Sequence, residues 1–125
     1  MVKNNKYLIV LIGWLSVVVY LSLFNLSDAP KIRIANFDKY VHFGFHFIGT
    51  VLWYLFLKFE FKNKYIKHVL FLAMLLDFLF GVTIEILQKF LTETRHADFL
   101  DVLSNLAGTI IAAIVVKLII KKTVK

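Results

Sequence analysis

Four long runs of apolar residues, separated by short charged segments, dominate the hydropathy pattern of this chain. The first run, from Tyr7 to Ser27, contains no charged residue and is long enough to cross a hydrocarbon core of about 30 Å as a helix. The pattern predicts an all-α, polytopic membrane protein, a four-helix transmembrane bundle that forms a single domain over residues 1–125. The expected helices cover about 7–27, 38–57, 68–89 and 98–120.

A cleavable signal peptide is an alternative interpretation of the first run. Two lysines near the start and the sequence Ser27-Asp28-Ala29 fit a signal peptide and its cleavage site. The apolar stretch, however, exceeds the roughly 7–15 residues of a signal-peptide core, and Pro30 would follow the cut directly. We therefore expect the first span to be retained.

Composition supports a membrane location and excludes several other classes. Hydrophobic residues make up 60% of the chain, against about 45–50% in soluble domains. The chain has no cysteine, which excludes disulfides, a thiol nucleophile and a thiolate metal site. The net charge of +7 does not indicate nucleic-acid binding, because the basic residues lie at the ends of apolar runs. The expected partner is the lipid bilayer.

The positions of Lys and Arg predict the orientation of the four helices. With the N-terminus inside, ten of the fifteen basic residues lie in inner segments and five in outer segments. Cytoplasmic segments carry the excess of Lys and Arg. Both termini are therefore expected in the cytoplasm, with 28–39 and 89–98 outside.

Polar residues recur at helical spacing in the second, third and fourth runs, at the end of each run that is predicted to face outward. Residues three or four apart share one face of a helix, so the three stripes are expected to face one another as a polar site. The small residues in them are expected to let the helices approach closely. The stripes consist of Asp38, His42 and His46; Asp77, Gly81, Glu85 and Gln88; and Asp98, Asp101, Asn105, Gly108 and Ala112. The many Phe side chains are expected to face lipid or neighbouring helices.

Two interpretations of these stripes compete. Hydrogen bonds between membrane helices, worth about 0.6 kcal/mol each, explain a residue such as Asn105 well. They explain Glu85 and Asp101 poorly, because a carboxylate at mid-helix costs roughly 2.5–3.5 kcal/mol. Ionisable groups within a membrane are functional candidates by default, which favours a functional site. The sequence leaves the roles of Asp77 and His46 open.

Three spaced motifs follow one another between residues 38 and 108. They are Asp38-Lys39-x-x-His42-Phe43, Gly81-x-x-x-Glu85-x-x-Gln88 and Arg95-x-x-Asp98-x-x-Asp101-x-x-x-Asn105-x-x-Gly108. In order and spacing they resemble the VanZ-like family of small bacterial membrane proteins, whose founding member is associated with resistance to the glycopeptide antibiotic teicoplanin. The resemblance covers about 37–112. The family often has a second glycine four residues after Gly108, where this chain has Ala112, so a small residue is kept.

The resemblance implies a protein of the bacterial cell envelope, located in the plasma membrane, and it brings no agreed biochemical activity. One hypothesis is that the polar site binds or handles an anionic envelope lipid, with Lys39 and Arg95 contacting its phosphate. Arg suits this role because its planar fork matches phosphate oxygens. The candidate site consists of Asp38, Lys39, His42, Glu85, Gln88, Arg95, Asp98, Asp101 and Asn105, with Gly81, Gly108 and Ala112 as packing residues.

Two alternatives to lipid binding remain open. A membrane hydrolase or transferase would use the carboxylates and His42 as acid and base, or to bind Mg²⁺, Mn²⁺ or Zn²⁺. The chain has no HExxH pair and no Gly-rich phosphate loop, so the sequence leans away from an enzyme and assigns no cofactor. A non-catalytic structural protein would instead pair its acids with Arg95 and His42. In each case Arg95 is expected to be the charge partner of the cluster.

Overall fold

Four α-helices account for almost all residues that the computed structural model describes, namely 5–23, 36–61, 66–91 and 99–124. They are α1 (Lys6–Leu23), α2 (Phe37–Phe61), α3 (Ile66–Leu91) and α4 (Phe99–Thr123). All four are long and apolar enough to cross a membrane, and the described ranges contain no strand. The all-α fold, with four helices that can span a membrane, is confirmed.

The starts of α2 and α4 follow from local chemistry. Asn36 adopts a left-handed backbone conformation (φ 58°), which Asn tolerates better than most residues, and its carbonyl accepts a hydrogen bond from the Lys39 amide at 3.0 Å. Asp38 and Asp101 lie in the first turns of α2 and α4, where a negative charge is favoured by the helix dipole. Both acids are therefore placed at the same end of the bundle.

The C-terminal end of α2 extends beyond the predicted boundary at residue 57. Lys58 and Glu60 continue the helix to Phe61, because a charged residue at a membrane boundary need not end a helix. The Lys58 ammonium lies 5.7 Å from the centre of the Tyr54 ring and 5.6 Å from that of Phe59. Its long side chain thus runs along aromatic surface while the charge stays near the helix end.

α2 and α3 each pack against the three other helices, and α2 is the central one because its contacts, above all those with α4, are the most extensive. Gly108 permits this close approach. A Cβ added there would overlap the Phe43 carbonyl oxygen and would lie 3.1 Å from the Phe47 nitrogen. The backbones of α2 and α4 are therefore in direct contact, which only glycine allows at this position.

α1 is held against the bundle at three points along its length. The Trp14 indole donates a hydrogen bond to the Phe45 carbonyl at 3.1 Å. Near one end the Tyr7 and Phe59 rings are stacked, with centroids 4.5 Å apart. Near the other, Gln88 of α3 donates to a backbone carbonyl of α1 at 2.8 Å. α1 therefore contacts both α2 and α3.

The interior is divided between a polar end and an apolar end. The polar end lies where α2 and α4 begin and where α1 and α3 finish; the apolar end is opposite. Aliphatic side chains and small residues fill the apolar end, around Tyr54, Leu57, Val69, Leu70, Ala73, Ala113 and Val116. Buried polar residues fill the other end and the middle, namely Ser22, His42, His46, Thr50, Asp77, Glu85, Gln88, Asp101, Asn105 and Thr109.

The outside of the bundle is apolar. Large hydrophobic side chains on all four helices are strongly exposed, for example Ile9, Phe71, Phe90, Phe99 and Leu118. No Phe is fully buried among those whose side chains the structure describes. An apolar surface of this extent suits a lipid environment, where it meets acyl chains instead of water.

Candidate functional site

Three helices bring four polar side chains together at the polar end, and we call this group the His42 cluster. It consists of His42 from α2, Glu85 from α3, and Asp101 and Asn105 from α4, which are only 6%, 4%, 6% and 1% exposed. The His42 ring lies between the two acids. Its Nδ1 is 3.5 Å from Glu85 Oε1, and its Nε2 is 3.7 Å from Asp101 Oδ2.

Asn105 forms a hydrogen bond with the His42 ring. Its Oδ1 lies 3.0 Å from His42 Nδ1. An amide oxygen can only accept, so this hydrogen bond requires the proton on Nδ1. In the neutral ring, the lone pair on Nε2 then faces Asp101.

Lys39 is the cation of this region among the described residues. Its Nζ lies 2.8 Å from Asp38 Oδ2 and 3.2 Å from Asp101 Oδ1. The Asp101 side chain is buried, whereas that of Asp38 is 55% exposed. The polar stripe predicted that Asp38 faces the interior together with His42. Asp38 lies outside that interior, because it is one turn before His42 at the start of α2.

The other predicted site residues lie elsewhere or outside the described ranges. Gln88 is buried, and its side-chain amide donates to the Ser22 carbonyl, which joins α3 to α1. Arg95 and Asp98 fall between α3 and α4, outside the described residues. The role of Arg95 as charge partner of the cluster stays a prediction.

A second polar network lies deeper in the bundle, around Asp77 of α3. Its Oδ2 is 2.8 Å from His46 Nδ1 and accepts hydrogen bonds from Thr50 at 3.1 Å and Thr109 at 3.2 Å. None of the four residues is more than 3% exposed. Sequence reasoning left Asp77 and His46 undecided and missed both threonines. The available signal was their spacing, since Thr50 follows His46 by four residues and Thr109 follows Asn105 by four.

Gly81 lies where the two polar groups meet. A Cβ on Gly81 would lie 2.7 Å from His46 Cε1 and 2.9 Å from Asn105 Nδ2. Both side chains therefore occupy the space that a larger residue would take on α3. Gly81 thus lets the Asp77 network and the His42 cluster form one polar column through half of the bundle.

A groove between α1 and α2 leads to the His42 cluster from the side. It has a volume of about 420 Å³ and is lined by Leu21, Val41 and Phe45, with Asp38 and His42 at its polar part. A second groove of about 400 Å³ lies between α2 and α4 and includes Lys39. The polar end can therefore be approached from the apolar surroundings of the bundle.

The sequence model of the VanZ/LLP1 family matches residues 2–120. The chain belongs to the VanZ/LLP1 family. The match includes α1 as well as the three helices that carry the motifs, so it covers every element of the site. The resemblance noted from the motifs is thereby confirmed. No curated protein and no solved structure matches this VanZ/LLP1 chain.

The VanZ/LLP1 site has the groups needed for two kinds of chemistry. His42, Glu85 and Asp101 each offer one atom that can bind a metal ion, and these atoms lie within 4.8 Å of one another. One imidazole with two carboxylates can hold a divalent cation. The same groups can pass a proton between a carboxylate and an imidazole.

Proposed function

We propose that this VanZ/LLP1 protein binds the head group of an anionic lipid at the outer face of the bacterial plasma membrane. The observation that carries the proposal is the position of His42. This residue belongs both to the buried polar cluster and to the lining of the apolar groove between α1 and α2. A lipid lying in the groove would place its acyl chain against Leu21 and Phe45 and its head group at the cluster.

Lys39, the cation at the polar end among the described residues, supports binding of an anionic ligand. Lys39 is 21% exposed and stands between Asp38 and Asp101, so its ammonium can turn toward a phosphate without leaving the site. The nearby carboxylates oppose an anion on their own. Arg95, in the third motif, is proposed as a further phosphate contact because its guanidinium can hold two phosphate oxygens at once.

The proposed orientation places the polar end outside and both termini in the cytoplasm. It rests on the count of ten basic residues in inner segments against five in outer segments. A site that binds an envelope lipid at the outer surface changes the surface that glycopeptide antibiotics meet. Lowered susceptibility to teicoplanin, the property associated with the founding VanZ protein, is therefore the phenotype proposed for this chain.

Native mass spectrometry of the purified protein tests lipid binding directly. We expect the parent to retain phosphatidylglycerol in preference to phosphatidylcholine. K39Q should weaken phosphatidylglycerol binding by about tenfold, since it removes one charge-assisted contact. V41W should fill the groove and weaken the binding of both lipids.

Matched controls come from the apolar end of the bundle, where a similar groove includes Ile114 and Lys117. K117Q and I114W change the same kinds of group far from the cluster, and we expect them to bind both lipids as the parent does. Equal phosphatidylglycerol binding by K39Q and K117Q would contradict the proposed site.

A membrane hydrolase or transferase is the second candidate, favoured by the position of the His42 ring between Glu85 and Asp101. Such a ring can take a proton from an attacking group while a carboxylate stabilises the imidazolium. Incubation of the parent with phospholipid, followed by analysis of released head groups, separates this activity from binding. E85Q should then abolish release while retaining most lipid binding; no release by the parent rejects the candidate.

A further inference from the structure

A groove lies between the C-terminal parts of α2 and α4, at the apolar end of the bundle. Its volume is about 350 Å³, within the roughly 300–1,000 Å³ of typical ligand sites. Aliphatic side chains form most of its walls, among them Val51, Val116 and Ile119. Its polar lining residues lie nearer the boundary of the bundle, namely Tyr54, Lys58 and Thr123. The groove therefore has the shape and polarity that suit an amphiphile.

Lys58 is the charged residue of this groove. Its ammonium lies over the Tyr54 and Phe59 rings, and within the described ranges it forms no ion pair with a carboxylate. A lysine ammonium binds phosphate oxygens well. Lys58 can therefore contact the phosphate of a lipid without first leaving an acidic partner.

The charge of the surrounding segments also favours an anionic ligand. The segments that flank this end of the bundle are 1–6, 58–67 and 117–125, and they contain ten basic residues against one acid, Glu60. Clusters of lysine beside a membrane attract anionic lipids. The groove thus opens where the chain is most positive.

Tyr54 supplies an independent indication of a bound molecule. Its side chain is 3% exposed, and its hydroxyl is buried with no hydrogen-bond partner in the described part of the chain. A buried Tyr hydroxyl usually has a partner, because leaving it unpaired is unfavourable. The phosphate and ester oxygens of a phospholipid are acceptors that would meet this need.

The neighbouring groove between α3 and α4 lacks this combination. It has a similar volume, about 360 Å³, and it too contains a lysine, Lys117. No residue with a hydroxyl group lines it. Lys58 together with Tyr54 therefore distinguishes the groove between α2 and α4 from a similar apolar groove at the same end.

We propose that the groove between α2 and α4 binds one anionic phospholipid of the leaflet at that end, which is the cytoplasmic leaflet in the proposed orientation. Lys58 contacts the phosphate, and the Tyr54 hydroxyl donates a hydrogen bond to a phosphate or ester oxygen. One acyl chain lies along Val51 and Val116, so the lipid joins α2 to α4. This site shares no residue with the one proposed at the polar end, and neither depends on the other.

Native mass spectrometry of the full chain in detergent counts the bound lipids. We expect the parent to retain two phosphatidylglycerol molecules, one at each end of the bundle. K58Q should weaken one of the two binding steps by about tenfold, because it removes a charge-assisted contact. K117Q removes the same charge from the neighbouring groove and should keep both steps. Equal phosphatidylglycerol binding by K58Q and K117Q overturns the proposal.

The two lipid sites can be told apart by combining variants. K39Q should weaken the step that K58Q leaves intact, and the double variant should lose both. Loss of binding in K58Q with none in K39Q supports the site between α2 and α4 and rejects the one at the polar end. Loss in K39Q with none in K58Q does the reverse.

A second pair of variants tests the groove itself. Ile119 and Ile114 are both exposed, and each lines one of the two grooves at this end, so a tryptophan at either position fills a groove without crowding the interior. We expect I119W to lose the phosphatidylglycerol molecule that K58Q loses, and I114W to bind as the parent does. Equal binding by I119W and I114W contradicts the position of the acyl chain.

Y54F separates lipid binding from a structural role of Tyr54. It should weaken the same binding step by about two- to tenfold, the effect of one neutral hydrogen bond. Without lipid the hydroxyl has no bond to lose, so Y54F should unfold at a temperature no lower than that of the parent. A lower unfolding temperature without lipid, or unchanged phosphatidylglycerol binding, overturns the contact with Tyr54. Equal retention of phosphatidylcholine at this step overturns the preference for an anionic lipid.

Discussion

At the scale of single residues, Asp77 shows how a carboxylate can be held within an apolar bundle. One of its oxygens takes hydrogen bonds from three neighbours on two other helices, His46 and Thr50 on α2 and Thr109 on α4. Its other oxygen lies against Gly49, where a Cβ would overlap Oδ1. A missing side chain at Gly49 thus makes room for the acid, and the acid joins α2, α3 and α4.

Replacing Asp77 should destabilise the bundle even though the change removes a buried polar group. D77L leaves His46 and two threonines without their shared acceptor, so we expect a loss of about 2 kcal/mol in the free energy of unfolding. Unfolding in mixed micelles, followed by circular dichroism, measures it. T83V is the control: the exposed Thr83 hydroxyl bonds within its own helix to Leu79, and its loss should change stability by less than about 0.5 kcal/mol.

D77L should keep the stability of the parent if Asp77 serves only the chemistry of the site. Stability of D77L equal to that of T83V would contradict the structural role and would leave the carboxylate without a packing function. A double variant, D77L with H46L, removes donor and acceptor together. It should be more stable than D77L, because fewer buried donors lack a partner.

The sequence predicted part of the site because spacing determines which side chains share a helix face. His42, Glu85, Asp101 and Asn105 were placed near one another from steps of three and four residues. The sequence does not single out Thr50, because the hydroxyl of a threonine in a membrane helix commonly bonds to the backbone of its own helix, as those of Thr83 and Thr123 do here. Spacing alone does not show which threonines bond to a neighbouring helix instead.

At the scale of helices, the sequence predicted the four spans and the facing stripes of α2, α3 and α4, but not the position of α1. The existence of four spans followed from the apolar runs, since about 20 apolar residues are needed to cross a bilayer. The position of α1 did not follow, because lipid is as apolar as the helix surfaces and hydropathy has no preference between neighbours. The contact of Gln88 with a backbone carbonyl of α1 likewise has no counterpart in the pattern of α1, which carries no polar stripe.

The contact between α2 and α4 should be sensitive to a single methyl group at Gly108. G108A places a Cβ against the backbone of Phe43, which cannot move aside without separating the helices. We expect a loss of about 1–3 kcal/mol in unfolding free energy, the usual range for overpacking. Gly13 and Gly44 have no atoms within 4 Å of an added Cβ, so G13A and G44A should unfold no more easily than the parent. A G108A protein as stable as G44A would refute the close contact.

At the scale of the whole molecule, the orientation in the membrane decides which compartment the site serves. The absence of cysteine from the chain makes a labelling test clean. We expect a cysteine at Leu91, at the exposed end of α3, to react with an impermeant maleimide in intact cells. A cysteine at Val124, just beyond α4, should react only after the cells are opened.

Both positions are exposed in the bundle, so a difference between them reports the membrane and not burial. Labelling of V124C in intact cells, with L91C protected, would show that the orientation is opposite to the one proposed. The proposed lipid site would then face the cytoplasm.

The division of the interior into a polar end and an apolar end has a consequence for how the chain is made. A helix that enters the bilayer alone exposes its own acids to lipid, at roughly 2.5–3.5 kcal/mol for each central carboxylate. α1 carries no acid and can enter by itself, whereas α3 carries Asp77 and Glu85. The donors that shelter Asp77 belong to α2, which is synthesised earlier, and to α4, which is synthesised later. Biogenesis should therefore be concerted, with α2 and α3 remaining beside the insertion machinery until α4 has emerged.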